Sequence, residues 1–466
     1  MLFRTSDFSP AILGKWAFAL AAPACIMAFT PRGGELTVPM IAFLAVTCWA
    51  ACAWALNLIN EIAVALLLPV LFMLCCGVEQ RTVYAPWLSD VPIIVVGGFI
   101  LGKIIQDTGL GRRIALRCMR ATGGSVTGAL CGITLAAVVV APLVPSIMGK
   151  TAIFCAVAVS LCEALDFAPK SREATAVVLG TCLAVGSTKL AYLTGGADLV
   201  MGMGLVDRVL GTQTSWMEYA RFNFVPAMLY TAMSLGIIIV ALRASADKDR
   251  LRAAVKTAYD GLGPMTDEQR RAAVLLCVTL LLLATDRLHG LSAGAALVII
   301  AVGAFLPGIG LMDAKRIHGV NFAPLFFIVG CMSIGSAGGS LGVTRWLADQ
   351  VLPMFGDAGA VAASTGAYVM GVAMNFILTP LPAMSTLSAP IAELGVQMGL
   401  DPKLLYFSFQ YGLDNLIFPY EYPVYLYFFS SGYIDFKRMA LVMGIRMVLA
   451  AGFVAFVAVP YWRLMG

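Results

Sequence analysis

Residues 183–200 read LAVGSTKLAYLTGGADLV and lie in the middle of a mainly apolar run from 173 to 206. A run of this length can cross about 30 Å of hydrocarbon. Its centre nevertheless collects glycines and polar side chains, namely Gly186, Ser187, Thr188, Lys189, Thr194, Gly195, Gly196 and Asp198. A charged side chain near the bilayer centre costs at least ~2.5–3.5 kcal/mol, so such residues as a rule face a cavity and serve function. The stretch predicts a helix that is broken inside the membrane.

The composition of the whole chain agrees with a membrane protein. Of its 466 residues, 60% are hydrophobic and 12% are charged, whereas soluble proteins average roughly 45–50% apolar and about 25% charged residues. The apolar excess is larger than one buried core can absorb, and lipid is the remaining solvent for it. We therefore predict an all-α polytopic membrane protein.

Residues that build common catalytic and metal sites are scarce. The twelve cysteines form no C-x-x-C pair, and the two histidines, His289 and His318, are too far apart in the chain for a zinc motif. The net charge of +5 is typical of membrane topology and not of a nucleic-acid partner. We expect no enzyme activity, no organic cofactor and no nucleic-acid partner. An intramembrane enzyme is the alternative from another class.

A window of about 20 residues divides the chain into apolar spans. We predict eleven, at 11–30, 37–56, 61–77, 91–107, 173–206, 219–242, 271–285, 290–307, 321–340, 404–430 and 439–460. Two further stretches, 125–165 and 359–397, are each long enough for two helices but are interrupted by APLVPSIMGKTA and NFILTPLPAMSTLSAP. A break at membrane depth is tolerated only where it lines a protein or aqueous cavity. Each stretch therefore predicts a re-entrant hairpin with its tip near the middle of the bilayer.

The C-terminal region contains a second broken span. Residues 411–433 read YGLDNLIFPYEYPVYLYFFSSGY, and they place Asp414, Asn415, Pro419, Glu421 and Pro423 within the span 404–430. The two hairpin tips and the two breaks would present backbone amides, carbonyls and the positive ends of half-helices, which suit an anion. We expect all four to converge on one site.

An internal repeat relates the two halves of the chain. VVGGFILGKIIQDTGLGRRIA at 95–115 aligns with IVGCMSIGSAGGSLGVTRWLA at 328–348 at a constant offset of 233. Three glycines recur in this alignment, Gly97, Gly102 and Gly109 as Gly330, Gly335 and Gly342, and Arg112 recurs as Arg345. A hairpin and a broken span follow each copy, and an odd number of crossings separates the copies. Inverted repeats with broken helices at the midplane are typical of secondary transporters.

The repeat also divides the chain. We predict an N-terminal helix in 1–36, a first inverted repeat in 37–242, a cytoplasmic linker in 243–270 and a second inverted repeat in 271–466. On this path the loops on the N-terminal side carry eighteen Lys and Arg residues, including Arg4, and the opposite loops carry eight, including Arg32. The positive-inside rule then favours a cytoplasmic N-terminus in the cell inner membrane.

Two phrases of the sequence resemble a known family. GGFILGKIIQDTGLGRRIAL at 97–116 and LIFPYEYPVYLYFFSSGYIDFKRMA at 416–440 are similar to segments of the divalent anion:sodium symporter family, which is related to solute carrier family 13 within the ion transporter superfamily. The resemblance implies an eleven-span homodimer with a scaffold and a moving transport domain. It also implies a secondary active transporter of small organic anions, dicarboxylates first, that works by an elevator-type alternating-access mechanism.

The hairpin tips depart from the family pattern. The family carries Ser-Asn-Thr at both tips, which bind substrate carboxylates and border the sodium sites. Here the first tip, 145–151, keeps Ser146 and has Lys150 where plant-type dicarboxylate exchangers have a basic residue. The second tip, 379–386, has hydroxyls but no Asn beside them, and Glu421-Tyr422-Pro423-Val424 replaces the family's Thr-Pro-Pro-Asn. A sodium-independent exchanger, or a proton-coupled carrier of another anion such as sulfate or citrate, is therefore the alternative within transport.

The breaks and the resemblance together select candidate site residues. For the substrate these are Ser146, Lys150, Thr151, Thr194, Gly195, Thr379, Ser385, Thr386 and Pro423. For coupling or ion binding they are Lys189, Ser187, Glu421 and Asn415, with a possible sodium ion near Gly186, Thr188 and Asp414. Lost oxygen ligands weaken a sodium site, so a fixed ammonium of Lys150 or Lys189 could replace the ion. Glu421 could then be its partner or carry a coupling proton.

Each charged candidate also has a simpler interpretation. Lys150 could be a snorkelling side chain. Lys189 and Glu421 could form a structural ion pair between the broken helices. Asp198 and Asp414 are interpreted as helix caps at the breaks. Lys150, Lys189 and Glu421 are thus the charges that we expect inside the membrane for a functional reason.

Overall fold

A computed structural model describes residues 10–31, 35–56, 58–355 and 358–465. The described residues form helices joined by short turns and contain no β-strand. Nine of the described helices are long and apolar enough to cross a membrane, and two shorter apolar helices, Glu61–Cys76 and Ala293–Gly303, accompany them. The prediction of an all-α polytopic membrane protein is confirmed. Arg4 and Arg32, which entered the charge count, lie outside the described residues.

The helices of the described residues are numbered in chain order. The first half contains α1 (Pro10–Phe29), α2 (Val38–Ala55), α3 (Glu61–Cys76), α4 (Gln80–Val83), α5 (Asp90–Thr108), α6 (Leu110–Ala121), α7 (Val126–Val140), α8 (Ile147–Ala164), α9 (Arg172–Thr188), α10 (Ala197–Leu210), α11 (Trp216–Leu242) and α12 (Lys248–Asp260). The second half contains α13 (Asp267–Ala284), α14 (Asp286–His289), α15 (Ala293–Gly303), α16 (Ala314–His318), α17 (Ala323–Ser340), α18 (Val343–Phe355), α19 (Ala360–Asn375), α20 (Pro380–Gln397), α21 (Pro402–Leu413), α22 (Pro423–Ser430), α23 (Phe436–Phe453) and α24 (Val459–Met465).

The two halves repeat one order of elements. A long helix (α5 or α17) leads into a shorter amphipathic helix (α6 or α18). A helical hairpin (α7–α8 or α19–α20), a broken helix (α9–α10 or α21–α22) and another long helix (α11 or α23) then follow. The spans predicted from the sequence do not include α6 and α18, because a short helix with one polar face carries no continuous apolar run.

Two of the three matched glycine pairs have equivalent roles in the two halves. Gly109 (φ +66°) and Gly342 (φ +78°) adopt the left-handed conformation at the turn before each amphipathic helix, which glycine adopts without steric cost. A Cβ on Gly97 would lie 2.9 Å from a backbone carbon of α15, and a Cβ on Gly330 would lie 2.2 Å from a backbone oxygen of α3. The glycines therefore allow α15 to pack on α5 and α3 to pack on α17 at close range.

The hairpin of each half packs against the broken helix of the other half. Helix α8 of the first hairpin packs against α22, and α20 of the second hairpin packs against α10. The first broken helix is the centre of this arrangement, because all residues from 174 to 191 are buried. At the other extreme, only 6% of the apolar window of α1 is buried.

Prolines account for the breaks in the hairpins. Pro142 lies in a short 3-10 turn and Pro145 in the irregular chain between α7 and α8, and Pro380 and Pro382 lie in the first turn of α20. A proline has no amide hydrogen to donate and clashes with the preceding helical turn, so it favours the start of a helix over its interior. The interruptions that the sequence places in 125–165 and 359–397 are therefore tips between two helices.

The hydrophilic linker is a helix docked on the membrane part, and not only a solvated connector as its charge suggests. Its helix α12 buries Leu251 and Val255 and packs against α6. Arg113 of α6 donates to the carbonyls of Leu262 and Pro264 at 3.0 and 3.2 Å. The linker thus supplies two acceptors to one nitrogen of a buried guanidinium of the first repeat.

Candidate functional site

The tip of the first hairpin is hydrogen-bonded to the first broken helix. Thr194 Oγ1 donates to the carbonyl oxygen of Pro142 at 2.7 Å. The amide of Ala197, at the start of α10, donates to the carbonyl oxygen of Pro145 at 3.2 Å. Both carbonyls lie between α7, which ends at Val140, and α8, which begins at Ile147, so they are outside the hydrogen-bond ladders of the two helices. The tip and the break therefore form one unit.

Lys150 reaches from the hairpin tip into this break. Its ammonium donates a hydrogen bond to the carbonyl oxygen of Gly195, and the residue is only 2% exposed. Gly195 must be small, because a Cβ there would lie 1.9 Å from the carbonyl oxygen of Lys189. The structure does not support the snorkelling interpretation of Lys150, since the ammonium points into the protein.

Two hydroxyls lie beside Lys150 in the first tip. Ser146 is the N-cap of α8, and its Oγ accepts from the amide of Gly149 at 3.2 Å. Thr151 is fully buried, and its Oγ1 has no hydrogen-bond partner. A buried hydroxyl without a partner is costly. The first tip therefore combines a buried ammonium with an unused hydroxyl.

Lys189 and Asp198 form an ion pair across the first break. Lys189 Nζ lies 2.6 Å from Asp198 Oδ2, and both side chains are at most 5% exposed. Lys189 is the C-cap of α9, and Asp198 lies in the first turn of α10. Each charge therefore lies beside a helix-dipole end of opposite sign, which stabilises it. Of the two alternatives for Lys189, pairing with Glu421 is not what the structure shows, and Asp198, which was interpreted as a helix cap, is the ion-pair partner of Lys189.

Arg446 is a buried charge that the sequence did not single out. It lies on α23, is 0% exposed, and forms an ion pair with Asp414 at the end of α21. It also donates to Ser187 Oγ at 3.1 Å and to Ser234 Oγ at 2.9 Å. Its guanidinium carbon lies 4.7 Å from the ring centroid of Tyr230. Arg446 therefore joins both broken helices to α11 and α23.

A sequence signal for Arg446 did exist. It lies inside the predicted span 439–460, away from Arg438 and Arg463 at the span ends, and an arginine within a span is costly unless it faces a partner. Asp414 supplied a second signal, because it is the C-cap of α21. A carboxylate at a helix C-terminus is repelled by the dipole and needs a cation nearby.

Amide side chains hold the second break. Asn415 Nδ2 donates to the Tyr230 hydroxyl at 2.9 Å and to the carbonyl of Tyr411 at 2.8 Å. Asn375, the last residue of α19, donates to the carbonyls of Leu413 and Asn415 at 3.1 and 3.0 Å. The second hairpin thus has an asparagine next to the break. Asn375 lies four residues before the tip sequence 379–386, whereas the family pattern has its asparagine within the tip.

The predicted hydroxyls of the second tip are largely occupied by their own helix. Ser385 Oγ and Thr386 Oγ1 donate to the carbonyl of Pro382 at 2.8 and 2.9 Å. Thr379 is the N-cap of α20 but makes no side-chain capping bond. In the described part of the chain no hydrogen bond joins the two tips directly. The two halves of the site meet through the breaks and Arg446.

Glu421 is a backbone cap and not a salt-bridge partner. Its Oε2 accepts from the amides of Ile417 and Phe418 at 2.7 and 3.1 Å, while its Oε1 is buried without a partner. Pro423 begins α22 next to it and is exposed. The carboxylate therefore holds the irregular backbone of the second break.

The positions considered for sodium lie where the two breaks meet. Thr188 Oγ1 donates back to the carbonyl of Ala184 at 2.7 Å, and Asp414 is held by Arg446. A Cβ on Gly186 would lie 3.8 Å from Asp414 Oδ1, so the two breaks approach closely there. Among the described residues no group of three or more His, Cys, Asp or Glu side chains is arranged to hold a metal ion.

A cleft of about 620 Å³ extends to the first break from one face of the protein. Its lining includes Asp207, Arg208, Arg287 and Trp216. The indole of Trp216 donates to Thr194 Oγ1 at 2.9 Å and stacks on Tyr192 at 5.6 Å between ring centroids. Trp216 therefore connects the cleft lining to Thr194, which is itself hydrogen-bonded to the hairpin tip at Pro142.

Repeated halves, helical hairpins and broken helices with buried charges together define a polytopic membrane transporter. The family described as "Sodium:sulfate symporter transmembrane region" matches residues 14–466, and the chain belongs to this family. It is an integral membrane protein and an anion transporter rather than an enzyme. The resemblance noted in the sequence is confirmed.

Relatives from bacteria and plants are similar over different shares of the chain. A membrane protein of Cupriavidus necator is 23% identical over 98% of this chain and 94% of its own length. The sodium-dependent dicarboxylate transporter SdcS of Staphylococcus aureus is 23% identical over 94% of this chain and 88% of its own. The chloroplastic dicarboxylate transporter 1 of Spinacia oleracea is 25% identical over 59% of this chain and 48% of its own.

A solved structure has a similar fold. The YdaH transporter of Alcanivorax borkumensis, whose crystal structure is described as having an unusual topology, superposes with a TM-score of 0.59. The superposition covers 92% of this chain and 98% of that chain at 14% sequence identity. At this identity the likeness concerns the fold.

One short pattern of hydrolases, G-x-S-x-G, occurs twice in the sequence, as GLSAG at 290–294 and as GGSLG at 338–342. A nucleophilic serine in this pattern sits on a turn between a strand and a helix. Ser292 instead follows α14 and caps α15 by accepting from the amide of Ala295 at 3.2 Å. Ser340 is the last residue of α17, and its Oγ donates to the carbonyl of Ala337 at 2.9 Å. Neither serine therefore has the setting of a nucleophile.

Proposed function

We propose that the chain is a secondary active transporter of small organic anions, dicarboxylates first, and that one anionic group binds at Lys150. The observation that carries this proposal is the buried ammonium of Lys150, which has a carbonyl partner and no carboxylate partner in the described part of the chain. A buried charge is stable only when it is paired or solvated. An anionic substrate supplies the missing counter-charge.

The balance of the other buried charges supports this position for the anion. Lys189 is neutralised by Asp198, and Arg446 is neutralised by Asp414. Lys150 is therefore the one buried cation of these three that remains without an ion pair. The hydroxyl of Thr151, on the same turn of α8 and without a partner, is a hydrogen-bond donor for the same group. Together they suit a carboxylate.

The packing of the helices supports an elevator-type motion. Each hairpin packs on the broken helix of the other half, so the hairpins and breaks form one compact unit. Helices α3 and α15 pack instead on α17 and α5. We propose that the first group moves against the second, in a homodimer of the cell inner membrane with a cytoplasmic N-terminus. We assign the N-terminal helix, two repeats and linker to 1–36, 37–242, 271–466 and 243–270.

The names of the relatives support dicarboxylates as the first substrates to test. The staphylococcal relative is named as a sodium-dependent dicarboxylate transporter and the spinach relative as a dicarboxylate transporter. Sulfate is the second candidate, because the family description names it. Gradients of sodium, of protons and of a counter-substrate are therefore compared as the driving force of uptake.

Uptake of labelled succinate into proteoliposomes tests this function. Sodium, proton and internal-dicarboxylate gradients are imposed separately, and unlabelled malate and sulfate are added as competitors. We expect saturable succinate uptake that malate inhibits more strongly than sulfate, and we expect Lys150→Ala to abolish it. Lys103→Ala is the matched control, because Lys103 is a partly exposed lysine paired with Asp107 at 2.7 Å. Uptake of sulfate alone, or wild-type affinity in Lys150→Ala, would contradict the proposal.

A further inference from the structure

Arg446 sits in a cage of oxygen atoms that has the composition of a cation site. Its guanidinium nitrogens contact the carboxylate and the carbonyl of Asp414, the latter at 2.9 Å. They also contact the hydroxyls of Ser187 and Ser234 at 3.1 and 2.9 Å. One carboxylate, one carbonyl and two hydroxyls are hard oxygen donors of the kind that bind small metal cations.

The four oxygens come from separate parts of the chain. Ser187 lies at the end of α9, Asp414 at the end of α21, and Ser234 on α11. All three residues are buried. Helix α23 contributes the positive charge that holds them together. Because residues from both breaks contact this one charge, we expect the stability of the site to depend on its presence.

The second break differs in charge from the first. The residue that caps α9 is Lys189, and the residue that caps α21 is Asp414. A positive C-cap is stabilised by the helix dipole and a negative C-cap is not. The second break therefore needs an external cation, and in this chain the cation is covalently attached.

We infer that the Arg446 guanidinium occupies a monovalent-cation site, so that sodium does not fit at Asp414 in this chain, and that removing the side chain creates a site that sodium or free guanidinium fills. A bound sodium ion would have to displace an arginine held by an ion pair and three further hydrogen bonds. The inference does not depend on which anion is carried, because it concerns the stability of the second break.

The test is thermal unfolding of the purified full-length protein in detergent, in sodium chloride and in choline chloride of equal concentration. We expect the wild type to have the same melting temperature in both salts. We expect Arg446→Ala to melt lower in choline chloride, and to be stabilised by sodium or by low, non-denaturing guanidinium in a dose-dependent way. Binding of a cation at concentration c to one site stabilises the folded protein by RT ln(1 + c/Kd), so the melting temperature should keep rising with the logarithm of the cation concentration above Kd.

The control variant is Arg446→Ala combined with Asp414→Asn, which removes the carboxylate from the cage. We expect neither cation to raise its melting temperature above the value in choline chloride. A wild type that sodium stabilises, with this effect lost in Asp414→Asn, would overturn the inference. So would a folded Arg446→Ala protein that ignores both cations.

A second measurement applies where Arg446→Ala does not fold. Asp414→Asn alone leaves a buried guanidinium without its counter-ion, whereas Arg446→Met with Asp414→Asn removes both charges. We expect the double variant to melt higher than Asp414→Asn alone, because an unpaired buried charge costs more than a neutral pair. The reverse order would mean that Asp414 does not hold the cation.

Discussion

The ammonium of Lys189 and the carboxylate of Asp198 lie 2.6 Å apart across the first break, with both side chains almost fully buried. The pair links the end of α9 to the start of α10 across the irregular chain between them. The positive charge lies at a helix C-terminus and the negative charge at a helix N-terminus, so both helix dipoles stabilise the ion pair. The pair holds the break in the shape that presents Gly195 to Lys150.

Lys189→Met is expected to destabilise the protein by about 3–5 kcal/mol, because it leaves Asp198 buried without a cation. The combined change Lys189→Met with Asp198→Asn should recover most of this loss. Unfolding of the purified protein measures both values. Lys103→Met is the control, and its partly exposed pair with Asp107 is expected to contribute less than about 1 kcal/mol. Equal losses in the single and double variants would show that the pair is not coupled.

Gly195→Ala tests the close packing at the first break. The new Cβ would lie 1.9 Å from the Lys189 carbonyl oxygen, so the backbone has to move, at a cost of at least about 1–3 kcal/mol. We expect a lower melting temperature and loss of anion binding together. Gly236→Ala on α11 is the matched control, because no atom lies within 4 Å of its new Cβ. A Gly195→Ala protein as stable as Gly236→Ala would contradict the close approach of Gly195 to Lys189.

Two substitutions of Glu421 distinguish a capping role from a proton-carrying role for this residue. Glu421→Ala leaves the amides of Ile417 and Phe418 without their acceptor, which we expect to cost about 1–3 kcal/mol. Glu421→Gln keeps one acceptor oxygen and should retain most of the stability. We also expect the pH profile of uptake to be the same for Glu421→Gln and the wild type. Loss of proton-driven uptake in Glu421→Gln alone would instead assign the coupling proton to this residue.

Arg113 is expected to anchor the linker. Arg113→Ala removes the donors to the carbonyls of Leu262 and Pro264, and hydrogen bonds to a charged group contribute about 1.5–3 kcal/mol each. Hydrogen–deuterium exchange should become faster in α12, while succinate uptake changes little. Arg117→Ala, at an exposed position of the same helix, is the control. Unchanged exchange in Arg113→Ala would mean that the apolar contacts of Leu251 and Val255 hold the linker alone.

Apolar length and proline placement made much of the architecture predictable. A continuous apolar run such as 219–242 has to become a helix in lipid, because every backbone amide and carbonyl needs an internal partner there. Pro142 and Pro145 ended α7 where the sequence indicated. The amphipathic helices α6 and α18 escaped prediction because their stability depends on the surfaces that they cover.

The site was predictable in its members but not in its pairings. Lys150, Lys189 and Asp414 were recognised because polar residues in an apolar run are costly. The partners of Lys150 and Asp414 lie 45 and 32 positions away along the chain, and the sequence does not show which residues the packing brings together. Asp198, only nine positions from Lys189, was interpreted as a helix cap. The sequence leaves the role of Glu421 open between a lysine partner and a proton carrier, and it does not single out Arg446.

The sequence by itself determined that the chain is a helical membrane protein with two related halves and where each helix is interrupted, since hydrophobic length and proline act locally. Only the tertiary structure decided which charges neutralise each other. Arg446 meets Asp414 because α23 and α21 pack together, and Lys150 remains without a carboxylate because Asp198 is taken by Lys189. Electrostatic pairing depends on distance in space, and the packing of the two halves sets that distance.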